Sequence, residues 1–364
     1  MKQLQEWLAQ NNYDLAYISN PTDIMYFTGY ESDPHERIIG LFVFPDAKPF
    51  LFTPALEVEA AKEAGWNHDI YGYLDHENPF AIIAEHIKER TSKTTNWAIE
   101  KADLSYQKYE SIQKQFPNAT FPGNASQFMD NLKLIKSPQE IKLMEEAGKQ
   151  ADYAFKLGFE ALSTKRTEQQ VVAEIEYGLM KKGVMHTSFD TIVQSGENAA
   201  KPHGGPEKVN IKPNALVLFD LGTVNQGYMS DASRTIAFGE PTVKQKDIYN
   251  VCLEAQLAAM DAAKPGITAA ELDAVARNII DKAGYGKYFI HRLGHGIGTS
   301  THEFPSIMEG NNMVLKPGMC FSIEPGIYIP QVAGVRIEDC IHITKDGNES
   351  FTHTTKKLQI LPIR

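Results

Sequence analysis

Four carboxylates sit where a folded chain should avoid them. In "FDLGTVNQGYMSD" (residues 219–231) an aspartate ends each arm of a strand–turn–strand pattern. Residues 215–219 are a short apolar run, Asn225-Gln226-Gly227 supply turn chemistry, and alternation resumes at Tyr228 and ends in residues 235–238. A turn centred between Asn225 and Gln226 sets Asp220 opposite Asp231, and a bulge at Gly227 would move the register by one residue and can leave the two close. The stretch "FSIEPGIYIPQVAGVRIEDCIHIT" (residues 321–344) reads the same way, with its turn around residues 330–334. A turn centred on Gln331 sets Glu324 opposite Glu338. Like charges facing each other in buried strands repel unless a cation pairs them. A solvent-facing hairpin with scattered acids explains one such pair; two pairs at matching places point to bound divalent ions.

The missing ligand type is a neutral nitrogen, and "HRLGHGIGTSTHEFP" (residues 291–305) lies between the hairpins with His291, His295 and His302. His291 and His295 have the spacing of a helical zinc pair, but Gly294, Gly296 and Gly298 disfavour a helix and the glutamate of an H-E-x-x-H motif is absent. A glycine-flanked His295 reads better as one side chain on a loop that backbone can approach closely.

Positioning these groups requires matching scaffolds, and the chain repeats itself. "TEQQVVAEIEYGLMKKG" (residues 167–183) and "TAAELDAVARNIIDKAG" (residues 268–284) both open with a Thr-x-x-Gln/Glu capping box and close with glycine at the same interval. Each follows another helical stretch and precedes strands, so each half is expected to be a helix pair followed by an acidic hairpin. Ser137-Pro138-Gln139-Glu140 starts the first helix, and Ile141, Met144, Ala151 and Phe155 give it one buried stripe. Before this, "YDLAYIS", "IIGLFVFP" and "KPFLFTP" read as strands, with "NPFAIIAEHIKER" and "LSYQKYESIQKQF" as helices, a separate α/β unit. Pro, Gly and Asn in "FPGNASQ" (residues 121–127) mark the boundary, giving domains at 1–129 and 130–364.

Composition narrows the classes. The 364 residues are 42 % hydrophobic and 23 % charged, with ample material for two cores. A formal net charge of −10 argues against an electrostatic nucleic-acid binder. Three cysteines without C-x-x-C spacing suit a reducing cytosol, and no apolar run of about 18 residues suggests a membrane span. A cytoplasmic protein with no membrane or nucleic-acid partner is the expectation.

The order Asp, Asp, His, Glu, Glu in "DLG…SDASRT…GHGIG…HEFP…IEPG…GVRIED" resembles the pita-bread dinuclear metallopeptidases, and among them the prolidase and aminopeptidase P branch, which cut Xaa-Pro bonds. The resemblance spans nearly the whole chain. It implies an α/β (α+β) protein with an N-terminal creatinase-type domain and a C-terminal pita-bread domain of pseudo-twofold halves. By the same resemblance Asp220 binds one metal, His295 and Glu324 hold the other, and Asp231 and Glu338 bridge both. His203 in "NAAKPHG" would border the substrate pocket, and His302 would donate to the reacting carbonyl or its oxyanion. Arg336, two residues before Glu338, would line the site and hold a substrate carboxylate or orient a bridging acid.

One histidine and four carboxylates favour two manganese ions, with cobalt or zinc as alternatives. Ions about 3.5–4 Å apart would share a hydroxide that attacks the scissile carbonyl. Glu324 would carry the proton to the leaving proline nitrogen. The expected substrates are Xaa-Pro dipeptides; the alternative is an Xaa-Pro aminopeptidase acting on longer peptides. A metal-free creatinase-like hydrolase predicts loss of the acidic ligands, which are intact, and the acidic charge and complete ligand set both speak against a catalytically silent peptide-binding relative. The family implies a homodimer, and "DPHER" (residues 33–37) is a candidate for a wall shared between subunits.

Overall fold

In the computed structural model, which describes residues 1–202 and 204–364, the chain forms two units, Met1–Leu132 and Lys133–Arg364. The first is built on six strands: β1 (Leu15–Ile18), β2 (Gly40–Val43), β3 (Phe50–Pro54), β4 (Asp69–Tyr73), β5 (Asn96–Ile99) and β6 (Thr120–Asn124), in the order β4-β3-β2-β1-β5-β6. Successive strand residues serve opposite faces. Leu15 and Tyr17 pack with Ile83 and Ile87 of α4 (Pro79–Arg90) and Ile112 of α5 (Tyr106–Gln115). Ala16 and Ile18 pack with Leu4 and Leu8 of α1 (Lys2–Gln10) and Ile24 of α2 (Pro21–Thr28). The helix α3 (Val58–Glu63) precedes β4. Residues 121–127, whose composition marks the expected boundary, are the sheet's edge strand β6 and the start of α6 (Ala125–Lys133). Pro122 is tolerated on an edge, and Gly123 lies so close to β5 that a Cβ would meet Ala98 Cβ at 2.6 Å. The expected boundary at 129/130 and the division at 132/133 both fall within α6.

The second unit shows the repeat directly. Helices α7 (Pro138–Ala161) and α8 (Glu168–Met180) back a sheet ordered β19-β11-β8-β7, comprising β7 (Ile192–Ser195), β8 (Ala215–Leu221), β11 (Ala232–Phe238) and β19 (Ile360–Leu361). The short β9 (Val224–Asn225) and β10 (Tyr228–Met229) form the hairpin tip between β8 and β11. Helices α9 (Val243–Ala262) and α10 (Ala269–Lys282) back the second half, ordered β13-β12-β14-β17-β18. Its strands are β12 (Gly294–Gly296), β13 (Glu303–Ile307), β14 (Cys320–Ile323), β17 (Asp339–Ile343) and β18 (Asn348–Ser350), with β15 (Gly326–Ile329) and β16 (Ala333–Arg336) as its hairpin arm. All four helices start with complete capping boxes, at Ser137, Thr167, Thr242 and Thr268. In the first half, Val217, Phe219, Ile236 and Phe238 face Phe155 and Ile175, leaving Asp220 and Ser233 on the other face. In the second, Phe321, Ile323 and Ile341 pack with Ile248, Leu272 and Ile280. Among the described residues no helix is long and apolar enough to cross a membrane, and the three cysteines are buried free thiols.

A buried polar clamp joins the halves. Arg234 in β11 and Asp339 in β17, both essentially inaccessible, pair at 2.7 Å. Arg234 also donates to the carbonyls of Ser233 and Glu338, while Asp339 accepts from Thr352, Gln256 and Lys356. Removing one partner of such a pair leaves a buried charge underpaired. Arg234→Met is expected to cost about 3–5 kcal/mol of stability, read from urea unfolding; a loss within experimental error would show the clamp to be dispensable.

Candidate metal centre

The first hairpin turns one residue later than its composition suggests. Asn225 pairs with Tyr228, so Gln226 and Gly227 form the two-residue turn, both with positive φ (49° and 80°), as a type I′ connection requires. No bulge is needed. The ladder therefore sets Asp220 opposite Ser233, and Asp231 becomes its diagonal neighbour on the same face. In the second hairpin the ladder is centred on Gln331, pairing Gly326 with Arg336 and Ile323 with Asp339. Glu324 and Glu338 fall opposite each other at the break between these two ladders. There the backbone N–H of Glu324 turns to Leu293 O (2.9 Å), and that of Glu338 to Ser233 O in the first half (3.0 Å).

The acids of both hairpins meet around His295. Ligand-capable atoms of Asp231, His295 and Glu338 all lie within 4.8 Å of one another. Nε2 of His295 stands 3.3 Å from Glu324 Oε1 and 3.6 Å from Asp231 Oδ2. Its Nδ1 faces Gly296 O at 3.1 Å, which places the proton there and turns the Nε2 lone pair towards the acids. Burial, and then His302, push the imidazole down to about 3, so the ring is neutral. Gly294 and Gly296 permit the packing: a Cβ on either would collide with the backbone of Ser322 or Phe304. His302 stands edge-on to His295, ring centres 4.1 Å apart.

Arg336 supplies the cluster with one positive charge. It forms a short ion pair with Asp220 Oδ2 and donates to Ser233 Oγ (2.8 Å) and Tyr328 Oη (2.7 Å). Ser233 in turn donates to Glu338 Oε2 at 2.7 Å, and Tyr328 meets His291 Nε2 at 3.1 Å. Arg336 thus acts on an acid of the cluster and on a residue that touches another. His291 joins this outer chain and does not share the nitrogen position of His295. His203 lies outside the described residues; its neighbour Pro202 lines the cavity.

The donor set fits divalent ions on two counts. Asp220 Oδ1 and Glu338 Oε1 are buried with no hydrogen-bond partner, although such atoms are normally satisfied. Burial, followed by the neighbouring carboxylates, drives Asp231 and Glu338 well above the ordinary carboxylate range, and burial raises Glu324 to about 7. Carboxylate oxygens and a histidine lone pair that converge without protons between them are a cation's environment. Glu324 is the most accessible of the acids, its side chain 15 % exposed.

The cavity over this cluster holds about 430 Å³ and is lined in addition by Phe189, Ile192 and Thr301. It also receives Arg292, which the sequence reading passed over in favour of the histidines around it. Arg292 donates one N–H to Ser306 Oγ at 2.9 Å. An arginine three residues before the ligand-type histidine, on the same glycine-rich segment, is the signal that could have drawn notice.

Two helix-backed halves closing on a buried acid–histidine cluster define a metal-dependent hydrolase of pita-bread architecture. The chain belongs to metallopeptidase family M24, whose model matches residues 142–345, preceded by a Creatinase/Prolidase N-terminal domain at residues 1–135. It is 60 % identical to an Xaa-Pro dipeptidase of Lactobacillus helveticus, over all of this chain and 99 % of that one. The prolidase of Pyrococcus horikoshii superposes with a TM-score of 0.90 at 38 % identity, covering 98 % of this chain and 99 % of that one. An X-Pro aminopeptidase of Thermotoga maritima reaches 0.86 at 27 % identity, over 96 % and 98 %.

The charge balance predicts a stability signature. Adding manganese to chelator-stripped protein at about 100 times its Kd should raise the unfolding free energy by about 2.7 kcal/mol. Asp231→Asn/Glu338→Gln should abolish that response and raise the metal-free Tm, because it relieves repulsion. A double variant melting well below the stripped parent would contradict this account.

Proposed function

We propose that the chain hydrolyses Xaa-Pro dipeptides, with two divalent ions held by Asp220, Asp231, His295, Glu324 and Glu338. The observation that carries this reading is the convergence of those acids and His295 beside Arg292 in a cavity of dipeptide size. Such ions, when bound, activate water and polarise the scissile carbonyl. Arg336 and Tyr328 keep Asp220 aimed into the cavity. His302, facing the cavity beside His295, donates a hydrogen bond to the carbonyl oxygen as its charge grows. Glu324, the acid most open to the cavity, delivers a proton to the proline nitrogen. That nitrogen carries no hydrogen before cleavage, so the site recognises the substrate by its ring and its ends. His203 is assigned to the pocket border.

Arg292 separates a dipeptidase from an aminopeptidase. Arg336 is engaged by Asp220, Ser233 and Tyr328, whereas Arg292 gives Ser306 one N–H of its five. A guanidinium at the cavity wall is suited to the free carboxylate of a C-terminal proline, and Phe189 and Ile192 offer the ring an apolar wall. Manganese is the ion that the oxygen-rich donors favour. A homodimer in the cytoplasm completes the reading, supported by the family resemblance and by the free thiols.

Manganese-loaded protein should hydrolyse Ala-Pro and leave Ala-Pro-Ala intact; release of alanine from the tripeptide would favour the aminopeptidase. Arg292→Leu should raise KM for Ala-Pro by about 10–100-fold, the range for losing a hydrogen-bonded charge partner; an unchanged KM removes Arg292 from the site. Asp231→Ala and Glu338→Ala should each lose bound metal, measured by elemental analysis, together with turnover. Full activity in either would sink the ligand assignment.

A further inference from the structure

One buried carboxylate beside the pocket has no part in this chemistry. Glu303 directly follows His302, and its side chain is 5 % exposed. Oε1 accepts from Thr299 N (2.8 Å), Thr299 Oγ1 (3.0 Å) and Ser300 N (3.1 Å). Oε2 accepts from Lys136 Nζ at 2.9 Å, and Lys133 Nζ stands 3.7 Å from Oε1. Lys136 is itself buried. Gly298 lets the loop close on this pair, since a Cβ there would meet Glu303 Oε2 at 2.6 Å and Lys136 Cε at 2.8 Å. On its outer side the loop is tied by Met229 N to Gly298 O (2.8 Å) and by Thr301 Oγ1 to Ser188 O (3.0 Å).

Packing alone would not call for this arrangement. Apolar side chains of equal volume often hold a loop as well as a buried ion pair does, without its desolvation cost. A carboxylate adds direction: Oε1 fixes the orientation of the Thr299 and Ser300 peptides while Oε2 is held by Lys136, and its own strand fixes Glu303. Only Thr301 and His302 lie between these anchors. Thr301 is tied to Ser188, which leaves His302 as the side chain whose aim the assembly sets. The two lysines cancel the charge and anchor the carboxylate to the segment leading into α7.

We propose that Glu303, held by Lys136, is a positioning residue that fixes the direction in which His302 presents its ring to the reacting carbonyl. It rests on the assignment of His302 as the donor to that carbonyl. Glu303 touches no substrate and acts through its neighbour, so its loss should be felt in turnover and not in substrate or metal binding.

Glu303→Gln keeps the shape and weakens the anchor. Its kcat on Ala-Pro should fall about 100-fold, the penalty of an ångström-scale misplacement, with KM and bound metal close to the parent's. In a His302→Ala background the same change should produce no further fall in kcat, because the residue it positions is gone. Lys136→Met/Glu303→Gln removes both charges together, so it stays measurable should Glu303→Gln leave the lysine unpaired and fail to fold, and it should show the same kcat deficit. Full activity of His302→Ala would overturn the donor assignment itself. A slow His302→Ala combined with an unaffected Glu303→Gln, or with losses that multiply in the double variant, would overturn the role given to Glu303. A loss of bound metal or a large rise in KM in both Glu303 variants would do the same.

Discussion

Repulsion among buried carboxylates is the constraint on which the rest of this structure depends. Asp220, Asp231, Glu324 and Glu338 share one cavity with Arg336, which is paired to Asp220. A flexible scaffold would let them part, and a dry one without cations would protonate them. The fold allows neither relaxation freely, because all four are set on or beside paired strands whose opposite faces are packed against helices. Rigid strands hold ligand atoms more accurately than loops, and here they also hold them together against their own charge. The same acids that would destabilise a metal-free core become an asset once cations join them, a trade of stability for function.

The charges outside the cluster do a different task. Arg234, paired with Asp339, donates to the carbonyls of Ser233 and Glu338, so the seam between the two halves is polar just where their acids meet. Glu168 accepts from Ser195 N, Asn198 Nδ2 and Glu207 N, closing the loop that contains Pro202. Asp273 grips Arg277 and Leu293 N, while Arg277 reaches the carbonyls of Phe289 and His291. Glu168 and Asp273 each bond the backbone of a segment that contributes residues to the pocket lining. Backbone donors and acceptors in such segments lack ladder partners and must be satisfied elsewhere. A carboxylate offers about four acceptor sites and a guanidinium five donors, more of one kind than any neutral side chain.

Much of this was legible in the sequence because it rests on short-range rules. Capping boxes at Ser137, Thr167 and Thr268 marked helix starts, and alternation marked the strands. Equal spacing in the repeat exposed the two acidic hairpins. The centre of the second turn, Gln331, followed from symmetry about the acids. What escaped depended on side chains that meet from afar. The first turn was misplaced by one residue because Asn225, Gln226 and Gly227 all suit a turn, and only the positive φ of the last two decides between them. Residues 121–127 were read only as a boundary, and their place in an edge strand escaped because proline and glycine also serve an edge strand that passes close to its neighbour. Arg292 and Glu303 were overlooked because neither belongs to a periodic pattern; their partners Ser306 and Lys136 lie 14 and 167 residues away.

The two halves repeat in sequence yet differ where it matters. The first hairpin keeps Asp220 inside the β8–β11 ladder, opposite Ser233, and leaves Asp231 just beyond the last pair of that ladder, Leu221 with Ala232. The second is broken on both arms beside its acids, between β14 and β15 at Glu324-Pro325 and between β16 and β17 at Ile337-Glu338. Pro325 has no N–H to give a ladder, and the freed N–H groups of Glu324 and Glu338 go to Leu293 and Ser233. Leu293 leads into His295, and Ser233 belongs to the other half. The break therefore connects the second pair of acids both to the histidine and to the first pair. Together with the bonds of Arg336 to Asp220 and of Ser233 to Glu338, these backbone links join the two repeats into a single site.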